Sequence, residues 1–180
     1  MSRLSYILAF ALSSASASAM PTSSTNLIYT KLPTRSGEAP FAPASGSQGP
    51  FDICSDPTHG PFDSKNAAPW KDCLGIRDWA RDNKGEWVLK QTTDPNNDED
   101  WTSLHTIGGC ALVVKNSAAT AVGNQDVGDL IDAIHGDGGS ERGSVEEKGR
   151  FGSCHGGVPV DFWLRAASTS LSGLGLEIPW

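Results

Sequence analysis

The stretch from Asn124 to Gly136, NQDVGDLIDAIHG, decides the fold class, because it predicts a helix with a single apolar stripe. Asp126 and Asp129 lie in its first turns, where the helix dipole favours negative charge. A stripe at this spacing requires a second layer to pack against. The stripe consists of Val127, Leu130, Ile131 and Ile134.

A second helix is predicted earlier in the chain, with its own apolar residues at helical spacing. Pro69-Trp70-Lys71-Asp72 begins it, with Asp72 placed to cap it, and Asn83-Lys84-Gly85 ends it. The apolar positions are Cys73, Ile76 and Ala80, with Trp79 beside them.

Five further runs have strand character, and the last alternates between an apolar and a polar side. The runs are Glu86–Gln91, Ser103–Ile107, Cys110–Lys115, Ser144–Cys154 and Val158–Arg165. In the last run Val160 and Phe162 share one side, while Asp161, Trp163 and Arg165 share the other. This order of elements predicts an α+β fold, a small two-layer sandwich of two helices on an antiparallel sheet of four to five strands.

Residues 1–19 have the three parts of a secretory signal peptide: a basic start, a short apolar stretch and small residues before a cleavage site between Ala19 and Met20. Residues 20–50 are rich in Ser, Thr, Pro, Ala and Gly, so we predict a disordered segment that is either retained or removed. The folded domain is predicted at 51–167 and a tail at 168–180. The expected location is extracellular.

Charge and length narrow the classes of partner. The full chain of 180 residues has a net charge of −7, and removal of Arg3 with the leader leaves 13 basic and 21 acidic residues, a net charge of −8. Such a protein has no general attraction for nucleic acid or anionic membranes. The apolar part of the leader is too short to span a bilayer. We therefore predict no nucleic-acid partner, no stable membrane insertion and a monomer.

The four cysteines all lie in the predicted domain, and an even count behind a signal peptide indicates two disulfides. Cys73 begins the first helix and Cys110 begins the most apolar strand, so a bond between them would join helix to sheet. Cys54 would then bond Cys154 and hold the two ends of the domain together. The rival pairing of Cys54 with Cys73 would close only a short local loop.

Catalytic and metal sites are weakly supported. Gly152–Gly156 resembles a nucleophile elbow around Cys154, with His59, His105 or His135 as a possible base, but a paired cysteine cannot act in this way. We predict no catalytic, metal-binding or cofactor-binding residues.

One acidic stretch resembles a calcium loop, because oxygen ligands alternate from Asp94 to Asp100. Its sixth and twelfth positions are Glu99 and His105, however, where a calcium loop needs Gly and Glu. A solvated acidic turn explains the same residues.

Six tryptophans are the other notable feature. Packing is predicted for Trp70, Trp79 and Trp163, whereas Trp87, Trp101 and Trp180 could instead be exposed. Exposed aromatic rings can bind sugars or anchor a protein interface.

Five short motifs, in order and with all four cysteines, resemble the fungal necrosis-inducing-factor domain of secreted effectors, the extracellular-protein-two type. The motifs are Asp72-Cys73, 109–113 (GCALV), 126–131 (DVGDLI), 148–154 (KGRFGSC) and 160–164 (VDFWL). The resemblance covers residues 52–167, and the order of elements is also similar to that of virally encoded fungal killer toxins.

The resemblance implies a secreted, non-enzymatic effector that binds an unknown host or competitor protein or a cell-wall component and can induce necrosis. A cell-wall carbohydrate-binding module and a secreted hydrolase are the rival hypotheses. The chain departs from the family pattern in the acidic insertion 92–101, the tail, and Glu146-Glu147 in a strand. These departures affect the surface and therefore the partner.

Overall fold

The structure is a computed structural model that describes residues 37–46, 48–62, 64–92, 100–138 and 143–167. The predicted cleavage site at Ala19 and Met20, Trp180 and most of the calcium-like loop lie outside the described residues. The helices are α1 (Trp70–Asp82) and α2 (Asn124–Gly136). The strands are β1 (Phe41–Pro43), β2 (Thr58–Pro61), β3 (Ala68–Pro69), β4 (Gly85–Leu89), β5 (Thr102–Ile107), β6 (Cys110–Asn116), β7 (Thr120–Gly123), β8 (Ser144–Val145), β9 (Glu147–Ser153) and β10 (Pro159–Ala166).

The strands form a five-stranded sheet in the order β2-β9-β10-β6-β5, a three-stranded sheet β1-β4-β7 and a two-stranded ladder β3-β8. All the pairings within these sheets are antiparallel. Helix α1 packs against β5 and β6 of the large sheet and against α2, and α2 packs against β4 and β7 of the three-stranded sheet. Both helices contribute residues to the core on the inner face of the large sheet. The predicted α+β fold with two helices and a sheet of about five strands is confirmed.

The apolar stripe predicted for α2 is buried, and it meets the buried residues of α1 and of the inner sheet face in one core. In β10, Val160, Phe162 and Leu164 are fully buried in this core. Burial of apolar surface is the main favourable term in folding, so this core is what holds the helices to the sheet.

Asp72 does not cap α1 as predicted, because the residue at the cap position is Pro69. The Asp72 carboxylate instead accepts a hydrogen bond of 2.7 Å from the backbone N–H of Gly109, in the turn between β5 and β6. Gly108 in that turn has φ +54°, and a Cβ there would lie 2.6 Å from the same carboxylate. The acid therefore holds the tight turn against the helix.

The disulfides are Cys54–Cys154 and Cys73–Cys110, which is the pairing that the sequence analysis favours. Cys73–Cys110 joins α1 to the first residue of β6, directly beside the contact between Asp72 and the turn. Cys54–Cys154 joins the segment before β2 to the end of β9. The chain-entropy model assigns roughly 4 to 5 kcal/mol to bonds that close loops of these lengths.

Three parts of the strand prediction were wrong in detail. The run Ser144–Cys154 forms two strands in different sheets, β8 and β9, because Glu146 lies between them with its side chain turned to another partner. β7 was not predicted, since Thr120–Gly123 is too short to show a period of two. The short strands β2 and β3 were missed for the same reason.

The predicted disorder of 20–50 is wrong for the described residues that form β1. Phe41 packs edge-on against Trp79 and Trp87, with ring centroids 5.0 and 4.9 Å apart, and β1 pairs with β4. The same aromatic group explains why Trp87 is buried rather than exposed. The segment is poor in apolar residues, but Phe41 is enough to hold it against the core. The fold therefore begins before residue 51.

Asn124, at the start of α2, is a buried junction between four parts of the chain. Its side-chain oxygen accepts hydrogen bonds from the backbone N–H groups of Phe51 (2.9 Å) and Gly85 (3.2 Å). Its amide group donates to the carbonyl oxygen of Ala80 in α1 at 2.9 Å. One amide side chain therefore connects α1, β4 and α2 to the segment before β2.

Asp126, in the first turn of the helix, completes this junction. Its carboxylate accepts hydrogen bonds from the backbone N–H groups of Ile53 (3.2 Å), Cys54 (3.1 Å) and Gly123 (2.7 Å). Burial raises the pKa of Asp126 to about 6; the three backbone N–H groups oppose that rise, and a hydrogen bond with Asp52 adds to it. The segment that carries Cys54 is thus held by a carboxyl group that titrates near neutrality.

We expect Phe41→Ala to lower the free energy of unfolding by about 2 kcal/mol, since a partly buried ring leaves a gap between Trp79 and Trp87. Val88→Ala is the matched control, because Val88 is an exposed apolar residue of the adjacent strand and should cost well under 1 kcal/mol. Urea unfolding monitored by tryptophan fluorescence measures both values. Equal effects would contradict the anchoring role of β1.

We expect Asp126 to make the fold more stable in mild acid. Its pKa in the folded chain lies above its value in the unfolded chain, so its contribution is largest below about pH 4 and is lost as the pH rises to about 6. The expected loss is about 2–3 kcal/mol, since a rise of about two pKa units corresponds to about 1.4 kcal/mol per unit. Asp126→Asn should flatten this slope, whatever its effect on absolute stability.

His105 provides the opposite control. Burial lowers the pKa of His105, so its contribution is present above its ordinary pKa and is lost as the pH falls. His105→Gln should therefore make the acid-side stabilisation larger. Unfolding free energies between pH 4 and 7.5 measure both slopes, and an unchanged slope in Asp126→Asn would refute the assignment.

Candidate functional site: the outer face of the large sheet

The outer face of the five-stranded sheet is the side opposite the two helices, and its residues alternate with the core residues of the same strands. Trp163 in β10 lies at its centre, paired with Val113 in β6 and Lys148 in β9. Asp161 and Arg165 flank it on the same side of β10. The structure therefore confirms the predicted alternation, with the apolar side of β10 in the core and Asp161, Trp163 and Arg165 on the outer face.

Trp163 is only 9% exposed although it lies on the face opposite the two described helices. Its cover comes from side chains of other elements. Trp101, which precedes β5, packs edge-on at 5.8 Å between ring centroids, and Phe62, which follows β2, does so at 6.1 Å. Ala111 and Val113 complete this second apolar cluster, which is separate from the main core.

Lys148 lies among the three aromatic rings of this face. Its Nζ is 3.8 Å from the centroid of Phe62, 4.0 Å from that of Trp163 and 5.9 Å from that of Trp101. A cation over an aromatic face is attracted by the ring quadrupole, and the attraction grows as the pair loses water. The lysine thus contacts aromatic side chains from three separate parts of the chain: the residue after β2, the residue before β5, and β10.

Arg165 and Lys115 extend the same pattern. The guanidinium of Arg165 lies 4.5 Å from the Trp163 ring, and the Nζ of Lys115 lies 4.9 Å from the Trp101 ring. The Nε of Arg165 is buried and has no hydrogen-bond acceptor among the described residues. A guanidinium held flat on a ring has its donor fork fixed in one plane, which suits a planar anion.

Glu146 fixes the central ring from beneath. Its Oε1 accepts a hydrogen bond of 3.0 Å from the indole N–H of Trp163, and its Oε2 accepts one of 2.9 Å from the backbone N–H of Asn66. Glu146 is only 5% exposed. Glu146, which the sequence placed inside a strand, lies between β8 and β9 and supports the outer face; its sequence signal was the acid pair Glu146-Glu147 in a run predicted to be a strand.

The outer face has a charge opposite to that of the chain. Three of its cations, Lys148, Arg150 and Arg165, are at least partly exposed, whereas Lys115 and Glu146 are buried. The one partly exposed acid among them, Asp161, is paired with Arg150 at 2.5 Å. The full chain has a net charge of −7. Charge segregation of this kind gives a local positive field on an acidic protein.

The aromatic part of this face is also accessible. Phe62 is 50% exposed, and it is one of two large apolar side chains exposed in the described part of the chain. Trp101 is half-buried. The face can therefore offer ring surface and cationic groups to the same ligand.

The residues considered for nucleophilic catalysis are not assembled into a site. The sulfur of Cys154 is bonded to Cys54, and none of the described cysteines is free. His105 is stacked on Trp79 with ring centroids 4.1 Å apart, and His135 lies beside Trp70. The elbow-like sequence around Cys154 is a turn that follows β9.

His59 has the most suggestive acid–base surroundings. Its Nδ1 is 3.7 Å from Glu147, and its Nε2 is 3.6 Å from Asp137, which is mostly exposed. The group joins β2 to β9 and to the end of α2. Within the described residues, no set of three or more His, Cys, Asp or Glu side chains could hold a metal ion.

Residues 53–154 match the model of the Hce2 family, which is described as a pathogen effector and putative necrosis-inducing factor. The match runs from the residue before Cys54 to Cys154 and ends before β10. The chain matches no curated protein. None of the described helices is long and apolar enough to cross a membrane.

We expect the Lys148–Phe62 contact to contribute a coupling energy of about 0.5–1 kcal/mol to folding. A double-mutant cycle with Lys148→Met and Phe62→Leu, measured by urea unfolding, isolates it, because both changes keep apolar volume. The matched cycle pairs Phe62→Leu with Lys84→Met, an exposed lysine that precedes β4, and should be additive. Additivity in both cycles would mean that the contact between Lys148 and Phe62 contributes no coupling energy to folding.

Proposed function

The chain belongs to the Hce2 family of pathogen effectors, and from this membership we propose a secreted, non-enzymatic fungal protein that binds a component of a host or a competing organism. The binding is proposed to lead to necrosis of the target tissue. The contact surface is the outer face of the five-stranded sheet. The observation that carries the proposal is the family match, which spans the region enclosed by the disulfide Cys54–Cys154.

Two features of the outer face support a binding role. Its side chains are Trp, Phe, Arg and Lys, and the first three types are enriched in interface cores and hot spots. Its aromatic rings are held by Glu146 and Lys148 before any partner arrives. Prior organisation reduces the entropy lost on binding.

Secretion is supported by two disulfides in a small domain, since such bonds persist in oxidising compartments. The signal-peptide pattern of residues 1–19 agrees with this location. The paired state of the described cysteines supports a non-enzymatic mode, because it removes the only thiol nucleophile that the sequence offered.

The rival hydrolase hypothesis would use His59, which lies between Glu147 and Asp137. A histidine oriented by a carboxylate can act as a general base. The same arrangement also serves to join β2, β9 and the end of α2. His59→Gln separates the two roles, because it removes the base while it keeps a polar side chain of similar size.

We expect the purified mature protein to cause tissue death when it is infiltrated into plant leaves, whereas reduced and alkylated protein should be inactive. His59→Gln should retain the activity if its unfolding midpoint is unchanged. Phe62→Ala with Lys148→Gln should weaken it several-fold, and Val88→Ala with Lys71→Gln, which makes equivalent changes elsewhere, should not. Loss of activity in folded His59→Gln would favour the hydrolase, and inactivity of the wild type would refute necrosis induction.

A further inference from the structure

We infer that the outer face binds an acidic polysaccharide, in which sugar rings carry carboxylate groups. This inference rests on the binding role proposed above and specifies the partner's chemistry. The face combines two kinds of group that such a polymer needs. Exposed ring surface can contact the apolar side of a sugar, and fixed cations can pair with its carboxylates.

Arg165 is the group that points to a carboxylate. Its guanidinium lies 4.5 Å from the Trp163 ring, its Nε is buried without an acceptor in the described structure, and the side chain as a whole is partly exposed. None of the described carboxylates forms an ion pair with it. Arg150, on the same face, is by contrast already paired with Asp161. Arginine binds carboxylates through a planar fork of donors, and stacking on an aromatic ring fixes that fork.

Phe62 is the group that points to a sugar rather than to an acidic peptide. Half of its surface is exposed, although its ring touches Lys148 at 3.8 Å. An acidic peptide would use the cations and gain little from a flat exposed ring. A polymer of charged sugar rings would use both.

The partly exposed cations of the outer face lie at more than one point. Lys148 in β9 is opposite Trp163, and Arg165 follows Trp163 by two residues in β10, so the two cations lie on adjacent strands beside the same ring. A partner whose charges repeat along its length can pair with both, and the acidic remainder of the protein limits contact to this face.

Calorimetric titration of the full mature chain tests the inference with three probes. Polygalacturonate carries rings and carboxylates, its methyl ester carries the same rings without charge, and polyglutamate carries carboxylates without rings. We expect binding to polygalacturonate and at least about tenfold weaker binding to each of the others. Binding should weaken about tenfold between roughly 50 and 300 mM NaCl, since exposed charges are screened.

Variants assign the binding to the face. Arg165→Gln and Phe62→Ala should each lower the affinity about tenfold, and Arg165→Lys should give an intermediate loss, because it keeps the charge and removes the fork. Arg81→Gln and Val88→Ala are the controls and should bind as the wild type does. An unchanged urea unfolding midpoint and far-ultraviolet circular dichroism show that each variant keeps its fold.

Equal binding of polyglutamate would identify an acidic-peptide surface, and equal binding of the ester would identify a neutral sugar surface. Either result overturns the inference, as does absence of binding or wild-type affinity in Arg165→Gln. The leaf assay is independent of these titrations. Tissue death without polysaccharide binding would leave the effector role intact and remove only the ligand assigned here.

Discussion

The position of Asn124 is the constraint on which the rest of the structure depends. Its buried side chain bonds backbone groups from α1, β4 and the segment before β2, and none of these could move without leaving a polar group unpaired. The carboxylate of Asp126 adds hydrogen bonds from the backbone N–H groups of Ile53 and Cys54. This close approach of the segment to the start of α2 requires glycine at position 123, since a Cβ there would lie 1.9 Å from the carbonyl oxygen of Phe51. The long disulfide therefore closes on a segment already held in place.

The parts of the fold that were predictable are those in which a regular apolar spacing continues over many residues. The stripe of α2 and the alternation of β10 needed only helical or strand spacing, and both are as the pattern indicates. The parts that were missed depend on distant partners. β1 exists because Phe41 reaches Trp79 and Trp87, and β7 is too short to carry a pattern. Asp72 illustrates the same limit, because a helix-capping residue and a turn-binding residue look alike in sequence.

The outer face was predictable only in its central strand. Alternation put Trp163 and Arg165 together, but Phe62 and Trp101 come from residues just outside strands, and only tertiary structure brings them over β10. The central strand itself lies beyond the residues that match the family model. The family region thus contains both helices, both disulfides and most of the inner core, to which β10 adds Val160, Phe162 and Leu164. Trp163 and Arg165 of the outer face come from a strand that follows that region.

The two disulfides divide the chain into a covalently closed part, residues 54–154, and a part outside it that contains β10. Cys73–Cys110 lies inside the ring closed by Cys54–Cys154, so a protease that cuts once between these ends cannot separate the fragments. β10 lies outside that ring, yet it is the middle strand of the large sheet. The exposed turn His155–Gly157 carries the covalent connection from the ring to this strand. A cut there would turn the central strand into a separate peptide, retained by its hydrogen bonds to β6 and β9 and by the rings around Trp163.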